Sequence, residues 1–220
     1  FFVKNSVSFS GFRSPGPRRH AQSWRPVAGP QGIPHRKGDN TMGRNIVLIG
    51  MPGSGKSTIG KRLAERLGME FCDIDEYIEK KEGRTISDIF KYGEAHFREI
   101  EKKAVREVSK MQPLVIATGG GIVLKDCNIR ALKENGVIIF IDRNLDDILS
   151  DVDVSRRPLL KNGKDQLCSL YEDRIELYKK YCDIQILNDK GIDQVIDDII
   201  EAIGMENTDL HGEVIISKQT

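Results

Sequence analysis

Nine consecutive residues, Gly50-Met51-Pro52-Gly53-Ser54-Gly55-Lys56-Ser57-Thr58, match the pattern G-x-x-x-x-G-K-[ST]. An apolar, β-branched run at 46–49 precedes them, and Ile59, Leu63 and Leu67 follow at helical spacing. Strand, glycine loop and helix form the context in which this pattern binds phosphate. The glycines let successive backbone N–H groups turn inward around an anion, and the helix N-terminus adds partial positive charge. Gly53, Ser54, Gly55, Lys56, Ser57 and Thr58 are therefore the expected cradle of a nucleoside triphosphate. Lys56 would reach the β- and γ-phosphates, and the Ser57 hydroxyl would face Mg²⁺. An incidental glycine turn would lack both flanking elements.

Further groups could do chemistry beside such a loop. Asp73 and Asp75 close a second apolar run, Phe71-Cys72-Asp73-Ile74-Asp75. One carboxylate could hold a Mg²⁺-bound water while the other accepts a proton from a substrate hydroxyl. The competing account is a helix N-cap followed by a first-turn acid. Thr118 is followed by Gly119, Gly120 and Gly121, which expose backbone to a close-lying ligand or form a plain turn. Arg98 and Arg174 sit on predicted helices. Taken singly, each reads as a solvated surface charge; together, two guanidinium groups could clamp a carboxylate. Arg157 lies in a polar stretch between two predicted helices, a setting that suits a mobile lid carrying an arginine to a transferring phosphoryl group, or simply an exposed loop.

These groups need a scaffold. Five short apolar segments, 44–49, 70–73, 114–118, 137–141 and 183–187, read as strands. Amphipathic patterns at 55–67, 74–82, 86–92, 94–110, 126–135, 144–150, 166–181 and 192–203 read as helices, with Thr85 as an N-cap. Alternation of the two predicts an α/β fold, a parallel sheet with helices on both faces and ligands at the carboxyl ends of the strands.

Composition narrows the function class. Of 220 residues, 30% are charged and 39% hydrophobic, and the net charge is +1. Residues 1–41 hold seven basic side chains and one acid; the rest hold 27 basic and 32 acidic, a net of −5. An acidic body argues against a nucleic-acid surface, and no apolar run approaches the ~20 residues of a membrane span. The expected partner is a small molecule, and the protein is expected to be a cytoplasmic monomer. Residues 1–41 contain five of the eight prolines and no periodicity. They are expected to be an unstructured basic leader, either an upstream extension or an organellar transit peptide that would move the protein to a plastid or similar compartment. The folded domain is expected over 42–205, with a lid at about 151–164 and a flexible tail at 206–220. The four cysteines and four histidines form no metal-ligand spacing.

The ordered set of motifs resembles the shikimate kinase family. It comprises the loop at 50–58; F-x-D-x-D at Phe71, Asp73 and Asp75; and G-R-T-I-S-D-I-F at 83–90. F-R-E-I-E at 97–101, the triple glycine, R-P-L-L at 157–160, and Arg174 with Tyr178 complete it. The resemblance spans about residues 44–200. It implies a five-stranded parallel sheet of the nucleoside-monophosphate-kinase type, with a lid and a substrate-binding segment. It also implies transfer of the γ-phosphoryl of ATP, with Mg²⁺, to the 3-hydroxyl of shikimate. By matching positions, Asp75 would bind the shikimate hydroxyls and act as base, Arg98 and Arg174 would hold the carboxylate, and Gly120 and Gly121 would offer backbone. Ser57 and Asp73 would serve the metal, and Arg157 the phosphates. Many members carry an arginine ahead of the lid that stacks on adenine. Aligning back from Arg157 puts Leu149 or Ser150 there, so Lys190 is the expected substitute and weaker adenine discrimination the expected consequence. A gluconate kinase, or a nucleotide-binding module without catalysis, would be the rival to this assignment.

Overall fold

A computed structural model describes residues 43–111, 113–151 and 164–209. The expected leader, the lid positions 152–163 including Arg157, and residues 210–220 lie outside the described residues. Strand β1 (Asn45–Ile49) leads into helix α1 (Lys56–Leu67), then β2 (Glu70–Asp73), α2 (Ile74–Glu82), α3 (Ile86–Phe90) and α4 (Glu94–Val108). After β3 (Leu114–Ala117) come a 3₁₀ turn (Ile122–Leu124), α5 (Asp126–Glu134), β4 (Gly136–Asp142) and α6 (Leu145–Asp151). Helix α7 (Lys164–Tyr181), β5 (Ile184–Leu187) and α8 (Ile192–Asp209) complete the order. Helix α8 runs past residue 203, where its periodicity was expected to end.

The five strands form one sheet in the order β2-β3-β1-β4-β5, with every pair parallel. The glycine loop thus leaves the central strand, flanked by the carboxyl ends of β3 and β4. Both faces are covered. Val47, Ile49, Ile116, Ile138 and Phe140 pack with Ile78, Val105, Leu132 and Tyr178 on one side. Ile46, Leu48, Val115, Ile139 and Ile141 pack with Ile59, Leu63, Val195 and Ile199 on the other. Alternate residues of one strand therefore enter two different cores, which is why these strands read as unbroken apolar runs. Gly60 permits α1 to lie against the sheet, since a Cβ there would fall 2.6 Å from the Phe71 ring. Thr85 caps α3, its hydroxyl accepting from the Asp88 amide at 3.1 Å. Among the described residues, no helix is long and apolar enough to cross a membrane.

Candidate active site

The loop at 50–58 is shaped by contacts on both its faces. Gly53 and Gly55 adopt φ of 89° and 90°, values that only glycine takes readily. Gly50 is constrained twice, by a φ of 147° and by proximity, since a Cβ would lie 2.6 Å from the Ile141 carbonyl oxygen of β4. The Lys56 ammonium donates to the carbonyls of Gly50 (2.9 Å) and Met51 (2.7 Å) and to Ser54 Oγ (3.3 Å). Two outer carbonyls are tied by side chains arriving just after β4 and β5. Arg143 donates to Gly53 at 3.2 Å, and Asn188 Nδ2 to Ser54 at 3.0 Å.

Asp73 does two jobs at once. Its Oδ1 caps α2, accepting from the amides of Asp75 (2.9 Å) and Glu76 (3.4 Å). Its Oδ2 accepts the Ser57 hydroxyl at 2.6 Å. The capping and functional accounts of this residue are therefore compatible. A hydroxyl and a carboxylate side by side are hard oxygen donors of the type Mg²⁺ takes. Among the described residues, no group of three or more His, Cys, Asp or Glu could hold a metal alone. Mg²⁺ commonly takes one or two protein oxygens and completes its shell with waters and phosphate oxygens.

The triple glycine is a junction. A Cβ on Gly119 would lie 3.0 Å from Asp75 Oδ1, one on Gly120 2.7 Å from the Pro52 ring, and one on Gly121 2.2 Å from an Arg98 guanidinium nitrogen. Each glycine thus abuts a different part of the site: an acid, the phosphate loop and an arginine. None of the three has positive φ among the described glycines, so close approach rather than backbone freedom demands them.

Behind Gly121 lies a buried charged cluster. Arg98 is 6% exposed and Arg174 4%, so neither is the solvated surface charge that each resembles alone. One Arg98 terminal nitrogen donates to both oxygens of Glu101 (2.9 and 3.0 Å), and the other reaches Glu94 at 2.9 Å. Asn128 donates to Glu101 at 3.4 Å. Burial pushes the Glu101 carboxyl up from its ordinary range, while Arg98 and then Arg174 pull it back. Arg174 Nη1 is buried without a hydrogen-bond partner among the described residues, so it is open to an acceptor that a ligand or a water would bring. One turn on, the Tyr178 hydroxyl donates to the Gly120 carbonyl. Burial raises that phenol to about 12, so it stays a donor at neutral pH.

Two cavities flank the loop. The larger, about 690 Å³, is lined by Gly53, Gly55, Lys56, Ser57, Thr58, Asp73, Asp75, Gly119 and Gly120. The smaller, about 420 Å³, lies past Gly55 and Thr58 and is lined by Arg143, Asn188 and Lys190 among others. Lys190 thus stands at the second cavity, paired with Asp198 at 3.6 Å. Leu149 packs on the core and the Ser150 hydroxyl turns back to the Asp147 carbonyl, so neither lines either cavity. Sequence reasoning passed over Arg143 and Asn188, although both follow a strand's carboxyl end, the edge where ligands were expected. It also gave no separate role to Glu101.

A 2-3-1-4-5 parallel sheet wound about a phosphate loop, with acids at the end of the strand two places away, is the plan of a P-loop kinase acting on a small molecule. Residues 52–204 match the shikimate kinase family model. A shikimate kinase of Clostridium botulinum (strain Alaska E43 / Type E3) is 51% identical over 162 residues, covering 74% of this chain and 98% of that protein. Among solved structures, the shikimate kinase of Acinetobacter baumannii in complex with shikimate aligns with TM-score 0.71 and 34% identity, over 74% of this chain and 94% of that one. The shikimate kinase of Aquifex aeolicus aligns with TM-score 0.66 and 36% identity, over 76% and 99%. The chain belongs to the shikimate kinase family. It is an ATP-dependent transferase that phosphorylates shikimate in aromatic amino acid biosynthesis, with Mg²⁺ as the accompanying ion.

Proposed function

We propose that the γ-phosphoryl of ATP passes directly to the 3-hydroxyl of shikimate at the triple-glycine junction, without a phosphoenzyme. The hydroxyl oxygen attacks the γ-phosphorus in line, the bond to the β–γ bridging oxygen breaks, ADP leaves, and Asp75 takes the hydroxyl proton. Lys56 and the loop amides hold the phosphates. Arg157, carried by a lid at about 151–164, closes on the transferring group. Arg98 and Arg174 grip the substrate carboxylate, with the backbone of Gly120 and Gly121 along the ring. Ser57 and Asp73 would hold Mg²⁺, which when bound neutralises developing phosphate charge. Positioning and charge neutralisation supply most of the acceleration in such transfers. What carries this assignment is the contact of Gly119, Gly120 and Gly121 with Asp75, Pro52 and Arg98 respectively, which joins the acid, the phosphate loop and the carboxylate grip within three residues.

The catalytic domain in this scheme is 42–205, a monomer acting in the cytoplasm, or in an organelle should 1–41 be a transit peptide, with neither nucleic acid nor membrane as partner. ADP release by residues 42–220 should depend on shikimate and not on gluconate. Release with gluconate instead would overturn the substrate assignment. Arg98→Ala is expected to raise the KM for shikimate by roughly tenfold to a hundredfold, because charge-assisted hydrogen bonds to the ground state are lost. Circular dichroism controls for folding, and an unchanged KM removes Arg98 from the carboxylate grip. With Lys190 in place of a stacking arginine, other purine triphosphates are accepted in part. A strict preference for ATP in a nucleotide competition assay refutes that.

A further inference from the structure

The two cavities share four lining residues, Gly55, Thr58, Arg143 and Asp151, and Arg143 is the one cation among them. Arg143 is the first residue past β4 and is mostly buried, its side chain 22% exposed. One terminal nitrogen holds the Gly53 carbonyl at 3.2 Å, and the other pairs with the Asp151 carboxylate. A triphosphate seated on the loop must cross this seam to place its nucleoside in the smaller cavity. That cavity is acidic. Asp147, Asp151 and Asp189 line it, against Arg143 and Lys190. Lys190 already faces Asp198 and does not line the larger cavity.

Resting on the nucleotide site proposed above, we propose that Arg143 is a nucleotide-binding residue. Its guanidinium exchanges Asp151 for the nucleoside end of the phosphate chain, while its other nitrogen keeps the Gly53 carbonyl turned away from the nest. The planar fork of donors suits two acceptors in two directions. Asp151 is 59% exposed, and an ion pair with so exposed a partner is held weakly, whereas a phosphate offers more charge and a matching bidentate edge. Hydrogen bonding from Arg143 holds the Asp151 carboxyl below its usual range, and once released that exposed carboxylate stays an anion in water at neutral pH as any free Asp does. With Arg143 absent, a polyanion would enter beside three carboxylates and one already paired lysine.

The test uses the intact chain and its Arg143→Gln and Asp151→Asn variants, with binding of ADP and of adenosine measured by calorimetry and competition. Arg143→Gln is expected to weaken ADP about tenfold or more and to leave adenosine within about twofold. The KM for ATP should rise while the KM for shikimate, at saturating ATP, holds. Asp151→Asn is expected to tighten ADP severalfold, because it removes the competitor for the guanidinium; loss of a mere strut would loosen it. Unchanged ADP affinity in Arg143→Gln, an equal loss of adenosine, or weaker ADP binding in Asp151→Asn each overturns the inference while normal wild-type binding leaves the nucleotide site standing. A wild-type chain that ignores ADP overturns both.

Discussion

Lys56→Met is expected to cut kcat/KM for shikimate-dependent ADP release about a thousandfold. The stem is kept and the ammonium removed, so the change isolates charge. Lys56 is 7% exposed, and its three donors now serve two loop carbonyls and a serine hydroxyl of the same loop. A bound β,γ-phosphate gives those donors a doubly useful acceptor, since the ammonium offsets charge that builds on the oxygens during transfer. Removing one preorganised donor from such a site costs about 100- to 1,000-fold, and here the loop also loses the group that ties its two ends. The variant should keep its circular dichroism and lose turnover. Activity within about tenfold of wild type would mean that the amides alone carry the phosphates.

How much of this was legible beforehand follows from physical range. The five strands fall within a residue or so of their expected bounds because the inner strands β1, β3 and β4, buried on both faces, are nearly unbroken apolar runs, while the half-exposed β2 and β5 are short segments set off by local polar residues and turns. The phosphate loop is legible for the same reason: strand, glycines and helix are contiguous. Asp73 and Asp75 were legible as a pair at a strand end. That Asp73 caps a helix with one oxygen and meets Ser57 with the other was not, because the capping and catalytic accounts looked like rivals. Arg143 and Asn188 act across 90 and 134 residues of sequence on backbone carbonyls, groups that carry no sequence signature. Seeking a base-stacking arginine backward from Arg157 led to Leu149 and Ser150 in α6, while the cation that lines both cavities sits directly after β4. Arg98 and Arg174 were named from the family pattern. The burial of Arg98 could not be read from its i,i+3 charge pair with Glu101, which on most helices is a surface feature.

The burial of that pair makes Glu101 the residue whose loss should cost most in stability. Glu101 is 1% exposed and accepts Arg98 with both oxygens, and its carboxylate also draws on Arg174. Glu101→Ala leaves the buried Arg98 guanidinium with the half-exposed Glu94 as its one remaining carboxylate partner among the described residues, and takes from the buried Arg174 a carboxylate that it feels. Removing one member of a buried ion pair costs about 3–5 kcal/mol, because the partner keeps its desolvation penalty and loses its compensation. Urea unfolding should show a loss of that size, with the midpoint moving and the slope unchanged. The same reasoning fixes the effect of ligand. If the substrate carboxylate binds Arg98 and Arg174, it supplies the missing negative charge, so shikimate should raise the melting temperature of Glu101→Ala by more than it raises that of the wild type at equal saturation. A variant within about 0.5 kcal/mol of wild type would show that Glu94 and water suffice for Arg98. Normal destabilisation without the extra shift from shikimate would separate the buried cluster from the substrate grip, leaving it a structural device at the base of α4.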